Sequence, residues 1–402
     1  MTAEGAFVGR RVVLVVSGGI AAYKAVELCR RMVDAGAHVV PVMTEDASRF
    51  IGEVTLSALA SEPVQTSLWT EASPIPHTRL GQDADLIVVA PATARIIAAY
   101  TAGSSDGLAT ATLLATRAPV LVCPAMHTEM WEHPAVQDNL AVLRRRGVHI
   151  VDPAEGRLAG GDVGAGRLAE PEVIVAAAEK LLTPQDLSGR RVLITAGGTS
   201  EAIDPVRVIT NRSTGAQGYA LAADAVARGA EVIVVTTVAT PVPPGVSEVV
   251  CATTADDIHR EVGALAPGCD VVVMAAAVAD FRPVDVAGHK MKKRDGIPTI
   301  ALEPTVDVLA EVAASSAPHQ VVVGFAAETD NVVANARAKL ESKGCDIMVA
   351  NDVAGTDTGF GGQTNAVTIL SRTGADCEVP LGTKRAIARA VLDAVVALLL
   401  PR

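Results

Sequence analysis

A succession of short apolar runs, each continuous rather than alternating, constrains this chain more than any other feature. In the first half they are Val12 to Val16, Val39 to Met43, Leu86 to Ala90, Val120 to Cys123 and Val148 to Val151. In the second they are Val192 to Ala196, Val232 to Thr236, Val271 to Ala275, Val321 to Phe325, Ile347 to Ala350 and Val367 to Leu370. A strand with one wet face alternates apolar and polar residues. An unbroken, β-branched strand needs cover on both faces, which a parallel sheet with helices on either side provides. The Ala-rich stretches between the runs supply those helices.

The pattern stops at Leu182 to Gly189, where Pro184, Asp186, Ser188 and Gly189 break it, and then restarts. The expectation is two successive α/β domains with doubly wound, mostly parallel, Rossmann-like sheets: residues 1–183, a linker at 184–189, and residues 190–402. A chain of 402 residues, half of them hydrophobic, is too long for one ordinary core and has enough apolar surface for two. The apolar stretches, such as Val391 to Leu400 with Asp393 inside it, fall short of the roughly 20 residues a membrane span needs. No charged-then-apolar leader opens the chain, so a cytoplasmic protein is expected, without a membrane partner. The six cysteines are scattered without C-x-x-C or zinc spacing, which suits reduced thiols. A net charge of −11 repels polyanions and argues against nucleic acid.

Each half opens with Arg-Arg-Val, a strand and a turn with adjacent glycines: Ser17-Gly18-Gly19 and Ala196-Gly197-Gly198-Thr199. Adjacent glycines let backbone N–H groups approach an anion, and the following helix N-terminus adds favourable partial charge. A tight turn with no ligand is the bland alternative. Neither turn is the G-x-G-x-x-G of a dinucleotide site, which argues against an NAD(P)-linked oxidoreductase, and neither is a P-loop.

Polar groups gather at the predicted strand ends of the first half. Thr44 ends the second strand, Pro91-Ala92-Thr93-Ala94 the third, and Pro124-Ala125-Met126-His127 the fourth. The hydroxyls at 44 and 93 and the turn at 17 to 19 suit one phosphate. His77 is placed in the loop before the third strand, where a surface or structural role is the plain alternative to catalysis.

Taken with Ser17 to Lys24, Pro124 to Trp131 and Gly161-Asp-Val-Gly-Ala-Gly-Arg167, this set resembles the flavin-dependent phosphopantothenoylcysteine decarboxylases over residues 10 to about 170. The resemblance implies a flavoprotein fold and FMN bound by Ser17, Gly18, Gly19, Thr44, Ala92, Thr93 and Met126. It also makes His77 the base that helps flavin oxidise the cysteine thiol. Loss of CO2 leaves a carbanion, and oxidising the adjacent C–S–H to a thiocarbonyl creates its electron sink; the reduced flavin later returns the electrons. Two positions depart from the family. His127 replaces an Asn that holds the substrate carboxylate; it can take over as donor, a packing role being the plain alternative. Gly160 stands where many relatives carry a proton-donating cysteine, so that proton is expected from water, Asp162 or His127.

In the second half Thr195 to Thr199 is followed by Asp204-Pro-Val-Arg207, Asn211-Arg-Ser-Thr-Gly215 and Ala275 to Asp280. The basic run His289 to Arg294, Gly324 to Glu328, Lys339 and Lys343 come after. A basic run is commonly a solvated face, but one that follows a strand-end carboxylate suits a nucleoside triphosphate and its metal. These motifs resemble the phosphopantothenate-cysteine ligases over residues 190 to about 370, and the fusion order is that of bacterial bifunctional enzymes of coenzyme A biosynthesis. The resemblance implies that CTP and Mg2+ activate the carboxylate of 4'-phosphopantothenate as an acyl cytidylate, which the amine of cysteine attacks. Asn211 would stabilise that intermediate, Arg207 would sit near its charge, and Lys290 would act on the phosphates. Gly197, Gly198, Ala275, Ala276, Asp280, Val306, Asp307, Val308, Leu309, Phe325, Lys339 and Lys343 would complete the CTP pocket, with Asp280 the metal ligand. Ala216-Gln217 and Val306 depart from the common Lys-Met and Pro. Gly355 to Thr364 is a plausible loop over the site. A homo-oligomer is implied, with decarboxylase trimers that hold FMN between subunits joined by ligase dimers, a dodecamer being one closed form. The competing reading is a flavin- or nucleotide-binding regulatory protein without turnover; intact Asn211 and Lys290 argue against it.

Overall fold

The computed structural model describes residues 5–69, 75–292, 298–328, 330–352, 362 and 364–399. The chain divides into two compact units between Pro184 and Gln185.

The first unit contains the strands β1 (Arg11–Val16), β2 (His38–Met43), β3 (Leu86–Ala92), β4 (Val120–Pro124), β5 (His149–Ile150), β6 (Ala154–Arg157) and β7 (Val163–Arg167). Its helices are α1 (Ala22–Asp34), α2 (Glu53–Ser57), α3 (Pro76–Asp83), α4 (Ala94–Ala102), α5 (Leu108–Ala115), α6 (Thr128–Glu132), α7 (Pro134–Arg145) and α8 (Pro171–Leu182). Strands β1 to β5 form one parallel sheet in the order β2-β1-β3-β4-β5. The order reverses between β1 and β3, and the crevice at such a switch point, outside the strand carboxyl ends, is where a ligand sits. Both faces of the sheet are buried, as the continuous runs require: Val12, Leu14 and Val16 belong to one core and Val13 and Val15 to the other. β6 and β7 form a separate antiparallel hairpin beyond the sheet.

The second unit contains β8 (Arg191–Ala196), β9 (Ser200–Ala202), β10 (Val208–Thr210), β11 (Glu231–Thr236), β12 (Glu248–Cys251), β13 (Val271–Met274), β14 (Phe281–Pro283), β15 (Leu302–Pro304), β16 (Val321–Glu328), β17 (Ile347–Asp352), β18 (Thr364–Ser371) and β19 (Cys377–Thr383). Its helices are α9 (Ala216–Ala227), α10 (Ala255–Leu265), α11 (Val308–Ser315), α12 (Val332–Lys343) and α13 (Lys384–Leu399). The main sheet runs β12-β11-β8-β13-β16-β17-β18-β19, parallel as far as β17 and antiparallel beyond it. Its switch point lies between β8 and β13. Residues of β8 again alternate between two cores, Val192 and Ile194 on one side and Leu193 on the other. α10 begins at a capping box in which the Thr254 hydroxyl accepts from the Asp257 N–H and the Asp257 carboxylate accepts from the Thr254 N–H.

Two expectations change. His77 lies on α3, started by Pro76 at its first turn, rather than in a loop. The run Val148 to Val151 contributes only the two-residue edge strand β5. Most of the segment Gly355 to Thr364 lies outside the described residues, as do Lys293 and Arg294 of the basic run.

Candidate active sites

β1 delivers Ser17 to the carboxyl end of the first sheet, where it is buried. Its Oγ donates to the Pro91 carbonyl at 2.7 Å and accepts from the Thr93 N–H at 3.0 Å, and Thr93 Oγ1 lies 3.1 Å away. The first glycine turn is thereby pinned to the end of β3. A Cβ at Gly18 would lie 2.3 Å from the Asp46 Cβ, so no side chain fits there; at Gly19 it would lie 3.3 Å from Thr93 Cγ2. Thr44 Oγ1 is buried and has no hydrogen-bond partner.

Two cavities meet at this turn and share Gly18, Asp46, Thr93 and Arg95. The smaller, about 310 Å³, is lined by Ser17, Thr44, Thr66 and Thr110. The larger, about 890 Å³, is lined by Gly19, Met126, His127, Leu158 and Gly166 among others. An orphaned buried hydroxyl beside a glycine cradle fits a bound anionic group such as a phosphate. Ser17, Gly18, Gly19, Thr44, Thr93 and Met126 therefore come together, while Ala92 is buried in β3 and lines neither cavity. His77 lines neither cavity of its own chain either, and its Nδ1 is buried without a partner.

His127 precedes α6 and is held from both sides. Nδ1 contacts the Glu129 carboxylate, and Nε2 lies 3.1 Å from Asp162 Oδ2 at the tip of the β6–β7 hairpin. The hydrogen bond to Glu129, with the charges of Glu129 and Asp162 behind it, raises the imidazole pKa over the opposing effect of burial. The hairpin is fixed to the same segment: the Met126 N–H donates to the Gly166 carbonyl at 2.9 Å, and a Cβ at Gly166 would lie 2.2 Å from Met126 O. At Gly160 a Cβ would meet His127 Nε2 at 3.1 Å and Asp162 Oδ2 at 3.3 Å.

In the second unit the glycine turn after β8 interlocks with the segment after β13. Thr195 Oγ1 accepts from the Ala276 N–H at 2.9 Å, the Ala277 N–H donates to Gly197 O at 2.8 Å, and Thr199 Oγ1 accepts from the Ala279 N–H at 2.9 Å. Gly197 has φ +100°, and a Cβ there would lie 2.1 Å from Thr237 Oγ1. Asn211 Nδ2 donates to the carbonyls of Ala277 and Val278, each at 3.2 Å, which fixes this side chain to the segment that follows Ala275 and Ala276. A cavity of about 100 Å³ is lined there by Gly215, Ala275, Ala276, Phe325, Asn351 and Lys384.

Asp204 belongs to a motif visible in the sequence, but its role is not. Its carboxylate accepts from the N–H groups of Val206, Arg207 and Met291, and Arg207 Nη1 lies 3.1 Å away. Burial alone would raise its pKa, but these donors and the Arg207 guanidinium outweigh burial and hold it below the usual range. Arg207 also donates to the Met291 carbonyl at 3.2 Å, so Asp204 and Arg207 together fix the loop that bears the exposed Lys290.

The remaining candidates lie around the start of α11, on α12 and just before β14. Asp307 caps α11, accepting from the Ala310 N–H, and pairs with Lys343; Lys339 pairs with Glu328 at 2.8 Å. Val306, Val308 and Leu309 surround that cap, and a Cβ at Gly324 would lie 2.6 Å from Leu309 Cδ2. Asp280 is exposed, its carbonyl accepting from the Thr305 N–H. Among the described residues no three His, Cys, Asp or Glu side chains cluster as a ready metal site.

The family model described as Flavoprotein matches residues 2–183, and that described as DNA/pantothenate metabolism flavoprotein C-terminal domain matches residues 187–399. The coenzyme A biosynthesis bifunctional protein CoaBC of Mycobacterium tuberculosis (strain ATCC 25618 / H37Rv) is 49% identical over 407 residues, covering 97% of each chain. Its counterpart in Bacillus subtilis (strain 168) is 46% identical over 395 residues, again covering 97% of each. The crystal structure of a CoaBC C-terminal domain covers 54% of this chain and 98% of its own, at 40% identity and TM-score 0.46. The chain belongs to the CoaBC family of bifunctional coenzyme A biosynthesis proteins.

Proposed function

We propose that this chain performs two successive steps of coenzyme A biosynthesis. The C-terminal unit ligates cysteine to 4'-phosphopantothenate at the expense of CTP, and the N-terminal unit decarboxylates the product to 4'-phosphopantetheine with FMN. The observation that carries the reading is the match to bifunctional relatives across both units, over 97% of this chain.

In the ligase unit the carboxylate of phosphopantothenate attacks the α-phosphorus of CTP and pyrophosphate leaves. The amine of cysteine then displaces CMP from the acyl cytidylate. Asn211, fixed against Ala277 and Val278, stabilises that intermediate beside Arg207. Lys290, Lys339 and Lys343 would neutralise phosphate charge, and Asp280 would meet the Mg2+ carried by the nucleotide. Gly197, Gly198, Ala275, Ala276, Phe325 and residues 306–309 shape the CTP pocket.

In the decarboxylase unit Ser17, Gly18, Gly19, Thr44 and Thr93 would hold the FMN phosphate, and Met126 would line its ring. FMN supplies a reversible two-electron acceptor for the C–S–H group. His77 removes the thiol proton. Because His77 lines neither cavity of its own chain, a trimer with the flavin between subunits suits its role: the imidazole serves a neighbour's flavin. No described helix is long and apolar enough to cross a membrane; the reading is of a cytoplasmic homo-oligomer acting on small molecules.

The test is purification with bound flavin followed by incubation with 4'-phosphopantothenate, cysteine, CTP and Mg2+. Formation of 4'-phosphopantetheine, CO2, CMP and pyrophosphate supports the reading. A colourless protein that releases no CTP-dependent pyrophosphate would sink it.

A further inference from the structure

We propose that the His127 imidazolium, clamped between Glu129 and Asp162, is the general acid that protonates the carbon from which CO2 has left. The proposal rests on the decarboxylase reading and adds to it the source of a proton that the reaction requires. Once CO2 departs, the substrate is an ene-thiolate, and that carbon must gain a proton before the carbon bearing sulfur can be reduced. An acid that is charged near neutral pH and reaches the cavity is needed.

The lining of the larger cavity narrows the choice. No cysteine is among its lining residues. Cys29 and Cys123 lie buried in the core, where desolvation pushes the Cys29 thiol up to about 11 and the Cys123 thiol higher. Lys24 is engaged by Glu170 at 3.1 Å, Arg167 pairs with the same carboxylate, and a guanidinium such as Arg157 or Arg167 holds its proton too tightly to give it up. His127 is the one imidazole on this wall.

Its surroundings suit an acid rather than a base. Glu129 holds Nδ1, and Asp162 lies 3.1 Å from Nε2, so two carboxylates favour the protonated ring. Lys24, Arg157 and Arg167 face the same cavity from α1 and the hairpin, with Glu170 beside them, and partly offset that field. Gly160 lies at the hairpin tip, where even a Cβ would come within 3.1 Å of Nε2. The absence of a side chain at 160 leaves the imidazole its place.

In the step itself, Glu129 keeps Nδ1 while the Nε2–H turns from Asp162 to the substrate. The N–H bond breaks, and the C=C pair forms the new C–H bond as the C–S bond becomes C=S. Bound FMN, carrying the two electrons taken in the first oxidation, would then supply them as hydride to the thiocarbonyl carbon to leave a thiolate, and solvent re-protonates His127. Glu129 and Asp162 are positioning residues.

The test mixes His127→Ala and His127→Gln holoenzymes with phosphopantothenoylcysteine and follows CO2, flavin absorbance and product mass. Expected is CO2 release limited to one equivalent per flavin, accumulation of ene-thiol, and return of oxidised flavin slowed by about 100-fold or more. Added imidazole should restore part of that rate in the alanine variant. In flavin-free protein, the NMR titration of His127 should lie above an ordinary imidazole and fall in Glu129→Gln and Asp162→Asn. Saturated product at the wild-type rate from both His127 variants would overturn the proposal, as would loss of CO2 release in them or an ordinary titration of His127. Wild-type protein that releases no CO2 would instead sink the underlying decarboxylase reading.

Discussion

The Asp204 carboxylate accepts the main-chain N–H of Met291 at 3.1 Å, joining positions 87 residues apart in the chain. Lys290 is the preceding residue, so the placement of its ammonium depends on a buried acid that need not touch substrate. Asp204→Asn loses one acceptor and the charge that orders Arg207. The expected result is a drop of about tenfold in ligase kcat/KM with decarboxylation of supplied phosphopantothenoylcysteine unchanged. Separate assays of the two half-pathways check it.

The capping box of α10 gives a pH signature. The Thr254 N–H is the main cause that holds Asp257 at about 2, below the roughly 3.9 of an unfolded aspartate. A depressed folded pKa means that the stabilisation is whole above about pH 4 and is lost as pH falls towards 2. With 28% of the side chain exposed, solvent screening reduces the contribution to about 1 kcal/mol. Urea melts should show Asp257→Asn less stable than wild type by that amount near pH 6, with the gap closing in acid.

The glycine turns should tolerate no side chain, for different reasons. Gly18→Ala would drive a methyl group into Asp46 at the mouth of both first-unit cavities, so the protein should purify colourless with CTP-dependent ligation intact. Gly197→Ala combines φ +100° with a contact at 2.1 Å to Thr237 and should do the reverse, leaving a yellow protein with little ligase activity.

His77→Asn should abolish CO2 release yet spare amide formation. Mixing this variant with Gly18→Ala protein, under conditions that exchange subunits, should restore some decarboxylation if the imidazole serves a neighbouring chain. No recovery from verified mixed oligomers would place His77 elsewhere.

Lys343→Ala should raise the KM for CTP by about tenfold or more while kcat changes less, since the charge neutralises bound phosphate. Initial rates over a range of CTP concentrations decide the point.

The parallel strands were legible because both of their faces are buried; Val12 and Val13 point into different cores, and neither position can be polar. Strand β12 was not, because most of Glu248–Cys251 is exposed and carries no continuous buried run. The β6–β7 hairpin hid for another reason: Gly156, Gly164 and Gly166 replace the apolar pattern with close backbone approach. Within the sites, the glycine turns and Thr93 could be read from local spacing. Asp204 could not be given its role, because its decisive partner is a main-chain group on a distant loop. Nor could the pairing of Asp307 with Lys343, 36 residues on, which only the packing of α11 and α12 brings about.

That last pairing, with its neighbour Lys339–Glu328, means that two of the cations proposed to meet the nucleotide are already paired in the free protein. Capture of a triphosphate there is an exchange of one set of counter-ions for another. Dissolved salt weakens the resident pairs as well as the incoming ones, so nucleotide affinity should fall less steeply with ionic strength than the number of lysines alone would suggest.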